Sequence, residues 1–595
     1  MSVQRIEGYA PIRDYGAIGD GRTVALVARD GAIDWLCLPD LDSSSVFAAL
    51  LDSEGGGRFV LEPESRYETA RRYLPGTNLL ETTFTTATGV VRVTDAMTLP
   101  SHGLSPFREL ARKIEGLAGS VPMYWRIEPR FAYGSAATRI DRRARLPITS
   151  AGRDAIAVCS FDAGEATTSE EAIAGRFATR EGSSSLLVLS AAHQEPLVLP
   201  ARGDVEARLE VTGNAWREWS DRRKYDGPWK EAVLRSALAL KLLVYAPSGA
   251  IAAAATTSLP EEIGGERNWD YRYSWPRDSA FTLEALLALG CSPEARAFFF
   301  WLLHASQLTH PRFRVLYRLD GRDEAEESSL PLAGYRGSRP ARVGNGAAGQ
   351  TQLDLYGEVF TAASRFAEFA GGLDRDHGRR LAQVADYVCS IWEHPDAGIW
   401  ELRDEPRHFT QSKMMCAVAL ARACELAEHE LLPTKHVARW QREQKRIREF
   451  VETRCYSDSK GSYVRSAGEE QLDASLLLAV LAGYDEPCAP RLIGTVDAVR
   501  RELACGPLIY RWADEPGAFL TCSFWLVDAY ARQGRLEQAR TLMEDLVGLA
   551  NELGLYAEEI QAETNEFLGN FPQGLTHLAL INAAISFTRA QKAGE

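Results

Sequence analysis

From about residue 226 onward the chain reads as twelve apolar-periodic segments whose connections alternate between long and short, and few folds produce that rhythm. The segments fall at roughly 228–245, 277–290, 294–309, 350–370, 374–393, 408–428, 434–455, 471–483, 489–504, 518–533, 535–552 and 574–590. Connections after odd-numbered segments run to about 31, 40, 14, 15, 13 and 21 residues, and those after even-numbered ones to about 1–5. Short links are the norm between packed helices, so systematic alternation needs a geometric cause. Six helical hairpins set in a ring supply it: the long connections emerge at one end and tight turns tie the other. That arrangement is an (α/α)6 barrel. Its long-loop end is where a site belongs, because function concentrates in loops carried on a rigid scaffold.

Before about residue 215 the pattern is that of strands. TVALVARDGAIDWLCLP, LLETTFTTATGVVRVTDAMTL and SLLVLSAA are rich in β-branched and aromatic residues and are punctuated by Gly, Asp and Ser. Ala-Thr-Gly at 87–89 reads as a hairpin turn. Many short strands with regular turns predict two packed antiparallel sheets. The expected organisation is therefore a β-sandwich over 1–213, a polar, partly helical connector over 214–227 and the barrel over 228–595.

Composition narrows the function. The 595 residues carry a net charge of −14, and the pI is near 5.4. This argues against a partner that needs a basic field, whether nucleic acid or an anionic membrane. Ten cysteines without a C-x-x-C pair fit reduced thiols in the cytoplasm. The opening MSVQRIEGYAPIRDYG has no apolar signal core, and apolar stretches such as ALALKLLVYA are too short to span a bilayer. A homo-oligomer is left open by the sequence.

The long loops hold the candidate chemistry. In GGERNWDYRYSWPRDSAFTL, Trp269, Tyr271, Tyr273 and Trp275 precede Arg277 and Asp278. Aromatic faces beside an Arg and an Asp suit a sugar, whose C–H faces stack and whose hydroxyls want charged partners. The same residues also fit a purely structural role, with Asp278 in a first helical turn and the aromatics in the core. Glu401 follows Trp400 in HPDAGIWELRDEPRHF, where an apolar neighbour would raise its pKa as a general acid requires. A solvated loop glutamate is the plainer reading. Glu558 and Glu559 lie between the last two segments. In a ring of six hairpins the loops bearing Glu401 and Glu558 face each other, and two opposed carboxylates are the minimum equipment for hydrolysing a glycosidic bond. Glu358, in QLDLYGEVFTAASRF, is a third acid, better explained as a residue of a buried helical face. The stretch of about forty residues over 316–359 is long enough to be a folded lid or rim.

Other chemistries lack their motifs. There is no H-E-x-x-H, and His304 and His310 are six apart, so spacing gives no metal site. There is no phosphate loop, and Gly55–Gly57 lacks the strand–helix context of a nucleotide fold. Cys522 reads as core rather than nucleophile, and WQREQKRIREF as a solvated helix face.

Taken together, IRDYGAIGDGRTVALVARDGAIDWLCLP, RNWDYRYSWPRDSAFTL, GYRGSRPARVGNGAAGQTQLDLYGEV, GIWELRDEPRHFTQSKMM, EPGAFLTCSFWL and LGNFPQGLTHLALI resemble glycoside hydrolase family 15 nearly end to end. This is the inverting glucoamylase, glucodextranase and trehalase family, and the likeness is strongest to bacterial trehalase-type members. The resemblance implies a β-sandwich on an (α/α)6 barrel, an acid at Glu401 after Trp400, a base at Glu558, a sugar clamp at Arg277 and Asp278, and a neighbouring-subsite arginine at Arg511. Ser274, Pro276 and Gln561–Ala562 depart from the pattern and bear on subsite shape.

The expected activity is thus an inverting, exo-acting α-glucoside hydrolase without metal or cofactor. Trehalose is the first substrate, and short α-glucans such as maltose or isomaltose the second. Two other classes remain: a phosphorylase or lyase on the same architecture, against which Glu558 counts, and a non-catalytic carbohydrate sensor, which loss of either carboxylate would mark. Inversion predicts carboxyl groups roughly 6.5–9.5 Å apart. Glu401 is expected against apolar surface with a raised pKa and Glu558 hydrated and ionising earlier, giving a bell-shaped profile with an acidic optimum.

Overall fold

The computed structural model describes residues 5–100, 108–143 and 146–594. The strands up to His193 pair antiparallel throughout, and the 20-residue strand Arg108–Ile127 organises them. Its first half pairs with Gly89–Met97 and Ser184–His193, its second half with Phe59–Pro63 and Ile173–Arg180. One strand therefore serves two sheets. The change of sheet falls at Gly116–Gly119, opposite a register shift between Val90 and Val91. Glycine is needed there: Gly119 has φ +63°, and a Cβ on it would sit 2.1 Å from the Thr88 carbonyl oxygen. Val27, Leu61 and Trp125 meet Phe84, Val93 and Leu187 in one apolar core between the sheets. The expected hairpin is present, with Thr86 paired to Gly89.

Helix α1 (Arg202–Asp221) follows. The boundary expected at 213/214 lies inside it, because the apolar residues Val205, Leu209 and Trp216 make one continuous buried stripe across that point. Among the described residues the barrel then has twelve helices: α2 (Lys230–Leu243), α3 (Ser279–Ala288), α4 (Ser292–Ala305), α5 (Leu355–Ala370), α6 (Arg375–Ile391), α7 (Thr410–Glu428), α8 (Val437–Arg454), α9 (Leu478–Leu481, after a 3-10 turn at Ala474–Leu477), α10 (Pro490–Glu502), α11 (Leu520–Arg532), α12 (Leu536–Val547) and α13 (Gly574–Gly594). Helices α3, α5, α7, α9, α11 and α13 touch in that order, and α13 closes on α3. They form the inner ring. Burial follows from sequence here: α7 is buried continuously from Thr410 to Leu420 and α11 from Leu520 to Ala531, whereas outer helices such as α6 and α8 bury one stripe. Every long connection enters an inner helix, so all six lie at one end.

The first domain backs that end. The Trp35 indole N–H donates to the Ala255 carbonyl, and Arg272, in the loop before α3, donates to the Ser43 carbonyl at 2.6 Å.

Candidate active site

The loop before α3 is extended, so W-D-Y-R-Y-S-W sends alternate side chains to opposite sides. Asp270 and Arg272 turn toward the first domain as a fully buried ion pair at 2.6 Å. Trp269 and Tyr271 turn the other way and line a cavity of about 370 Å³, together with Glu261, Arg342, Trp400, Glu401, Arg403, Arg511 and Trp512. Tyr271, Trp400, Glu401 and Arg511 also line a deeper recess of about 30 Å³, closed by Arg277, Phe519, Trp525 and Leu575. The two spaces share the first four of these residues, with Glu401 where they join.

Glu401 lies between α6 and α7 with φ +58°, a left-handed conformation costly for a residue with a side chain. Its Oε1 accepts from the Trp275 indole N–H at 2.6 Å and from Arg277 at 3.1 Å. Apolar residues line the recess beside Glu401, but N–H donors rather than Trp400 hold its Oε1. Trp400 turns its indole N–H to Asp473 at 2.9 Å and packs on Phe519 and Trp525, so the preceding aromatic does not cover the acid.

Glu558 comes from the opposite connection, between α12 and α13. The ladder of Ala518–Phe519, Glu559–Ile560 and Phe567–Leu568 fixes its backbone, and its Oε2 accepts from the Asn570 N–H at 3.2 Å. Gly569 makes room: a Cβ there would lie 2.4 Å from that oxygen. Oε1 of Glu558 has no hydrogen-bond partner among the described residues. The expected hydrated environment is absent. Glu558 is 1% exposed, and burial together with the negative charge of Glu261 pushes its pKa up to about 8. Tyr271 lies near enough to Glu401 and Glu558 to feel both charges.

The remaining expected residues divide into wall and support. Arg277 closes the recess and donates to the Ile399 carbonyl at 2.6 Å. Asp278 stands 3.6 Å from Arg277, behind the pocket wall, and burial pushes its pKa up to about 6. Trp275 is buried at 2% and serves Glu401 rather than offering the cavity a face. Arg511 lines both parts of the pocket while meeting Glu515 at 2.6 Å, Glu559 at 2.9 Å and Glu261. Oxygens of these three glutamates lie within 4.8 Å of one another, but Arg511 and Arg267 already fill the place a cation would take.

Glu358 is buried on α5, as its helical pattern indicated. Sequence reasoning missed Glu261, which nothing in LPEEIGG separates from the exposed Glu262. It also missed Asp354, a fully buried acid facing the charge of Arg277, whose carboxyl burial pushes up to about 7. A single Asp in an apolar QLDLY run carries no signal.

A pocket walled by tryptophans above an (α/α)6 barrel, with Glu401 in its wall and Glu558 buried in the opposed loop, is the arrangement of a glycoside hydrolase. Residues 227–585 match the model of glycosyl hydrolases family 15, and residues 6–164 match that of the trehalase-like N-terminal domain. The chain belongs to glycosyl hydrolases family 15. It is 37% identical to a trehalase of Mycolicibacterium smegmatis, covering 98% of this chain and 92% of that one, and 34% identical to a trehalase of Thermoplasma volcanium, covering 97% and 94%. A bacterial glucoamylase solved in complex with acarbose shares the fold over 99% of this chain and 94% of its own, with a TM-score of 0.71 at 13% identity. Among the described residues no helix is long and apolar enough to cross a membrane.

Proposed function

We propose that the protein hydrolyses α,α-trehalose to glucose with inversion, Glu401 acting as general acid and Glu558 as general base. The observation that carries the choice of trehalose is the extent of the likeness: relatives named trehalases match across both domains. The pocket agrees, since about 370 Å³ lies at the small end of ligand sites and suits a disaccharide better than a polymer.

The polar setting of Glu401 serves an acid. Two N–H groups occupy Oε1, which leaves Oε2 as the oxygen that delivers a proton. When that proton passes to the glycosidic oxygen, the bonds from Trp275 and Arg277 strengthen on the charge left behind, which stabilises the transition state more than the ground state. The opposite face of the sugar belongs to Glu558. Its burial makes it a strong base, and the free Oε1 is the acceptor for the attacking water. The carboxylate must be ionised to act, so the acidic limb of the rate profile lies toward neutral pH. That limb is proposed at higher pH than the acidic optimum expected from sequence. Ten free cysteines, eight of them buried, support a reducing cytoplasmic setting.

The test is a panel of trehalose, maltose and isomaltose with the released anomer followed by proton NMR. Trehalose is expected to be cleaved fastest, giving β- and α-glucose in equal initial amounts. Faster release from maltose overturns the substrate, and initial release of α-glucose alone overturns inversion.

A further inference from the structure

The long connection between α4 and α5 reaches the acid from behind. Its short hairpin, Ser328–Leu330 with Ala341–Val343, brings Arg342 to the pocket wall. Beyond it, Gln350 points its amide at the loop of Glu401. Nε2 of Gln350 donates to the Glu401 carbonyl and to the Leu402 carbonyl, both at 3.1 Å. The amide is itself oriented, because Gln352 donates to its Oε1 at 3.2 Å. Gln350 lines neither part of the pocket.

These bonds fall on the strained peptide. Left-handed backbone at a non-glycine residue is strained and persists only where its surroundings fix it. The loop's own turn bonds are long, with the Glu401 N–H to the Gly398 carbonyl at 3.2 Å and the Leu402 N–H to the Ala397 carbonyl at 3.3 Å. Relaxing φ at Glu401 would swing its side chain off Trp275 and Arg277.

We infer that Gln350 is a positioning residue for the general acid: its amide clamps two successive carbonyls and holds Glu401 in the left-handed conformation from which it protonates the leaving oxygen. This rests on the acid role proposed for Glu401. A fault confined to the acid has a signature, since a substrate whose leaving group needs no proton is spared.

The experiment compares Gln350→Glu, Gln350→Leu and Glu401→Gln on trehalose and on α-glucosyl fluoride, with circular dichroism as the check on folding. Glutamate keeps the shape of Gln350 but cannot donate, and leucine removes the polar end. Both variants are expected to lose about 10- to 100-fold in kcat on trehalose, with KM within about threefold, and less than about threefold on the fluoride. Equal losses on both substrates, or none, in the better-folded variant overturn the inference while the acid role stands, provided Glu401→Gln spares the fluoride. If Glu401→Gln spares neither substrate, or retains full trehalose activity, the acid role has failed and the inference falls with it.

Discussion

Replacing Glu261 by Gln should move the acidic limb of catalysis. Glu558 owes its raised pKa first to burial and next to the negative charge of Glu261, with the positive charge of Arg511 opposing both. The substitution removes one negative charge and leaves Arg511 with Glu515 and Glu559 only. A like charge at ~7 Å through an effective dielectric of ~20 is worth about 2 kcal/mol, or about 1.5 pH units. The direction is fixed: with less repulsion the Glu558 proton leaves at lower pH, so the base becomes competent sooner on raising the pH. The acidic limb of kcat/KM for trehalose should therefore shift downward by about 1–2 pH units, read from initial glucose release between pH 4.5 and 9. Glu261 also lines the pocket and accepts the Trp269 indole N–H, so KM is expected to rise without altering the limb's position. An unmoved or upward-shifted limb in a folded variant would refute the claim that Glu558 sets it.

Three further outcomes follow from the same geometry. Glu401→Gln should spare α-glucosyl fluoride while losing trehalose hydrolysis by about 10²–10⁴-fold, and Glu558→Gln should lose both; the opposite pattern means the two roles are exchanged. Trp275→Phe keeps the ring but deletes the 2.6 Å bond to Glu401, which predicts about a 10- to 100-fold fall in kcat on trehalose; a change under about threefold would remove that bond from the mechanism. Asp354 has its pKa raised to about 7 on folding, so its contribution to stability is complete below the carboxyl's unfolded range and lost as pH rises through 7. Asp354→Asn should accordingly flatten the decline of Tm between about pH 4 and 7 by about 1–3 °C in calorimetry, and an unchanged slope would argue against a buried proton there.

The parts of the fold legible in sequence were those written in period and spacing. The alternation of loop lengths identifies the ring before any contact is known, and burial agrees with it: α11 is buried on every side and α6 along a single stripe. Glu401, Glu558, Arg277 and Arg511 lie in the loops that rhythm singles out. Their environments were not legible. Whether Glu401 meets an apolar ring or the indole N–H of a tryptophan 126 residues away depends on the orientation of Trp400, which Asp473 decides from another loop. Glu558 reads as a hydrated base until Gly569 and Asn570 close over it. The boundary expected at 213/214 falls inside α1 because RGDVEARLEV mixes β-branched with helix-favouring residues, and only its packing resolves the choice.

The even-numbered side of the first long loop has a consequence for anyone who cuts or exchanges these domains. Asp270 and Arg272 are sealed between the two domains, the Arg272 guanidinium reaching the Ser43 carbonyl, while their immediate neighbours Trp269 and Tyr271 form pocket wall. An isolated barrel would expose that ion pair to water and release the segment from its outer anchor. A first domain transplanted from a relative would arrive with its own contact at Ser43 and reset the wall from behind. The β-sandwich is thus an inherited part of the substrate's surroundings, and a chimaera joined near α1 would exchange specificity along with scaffold.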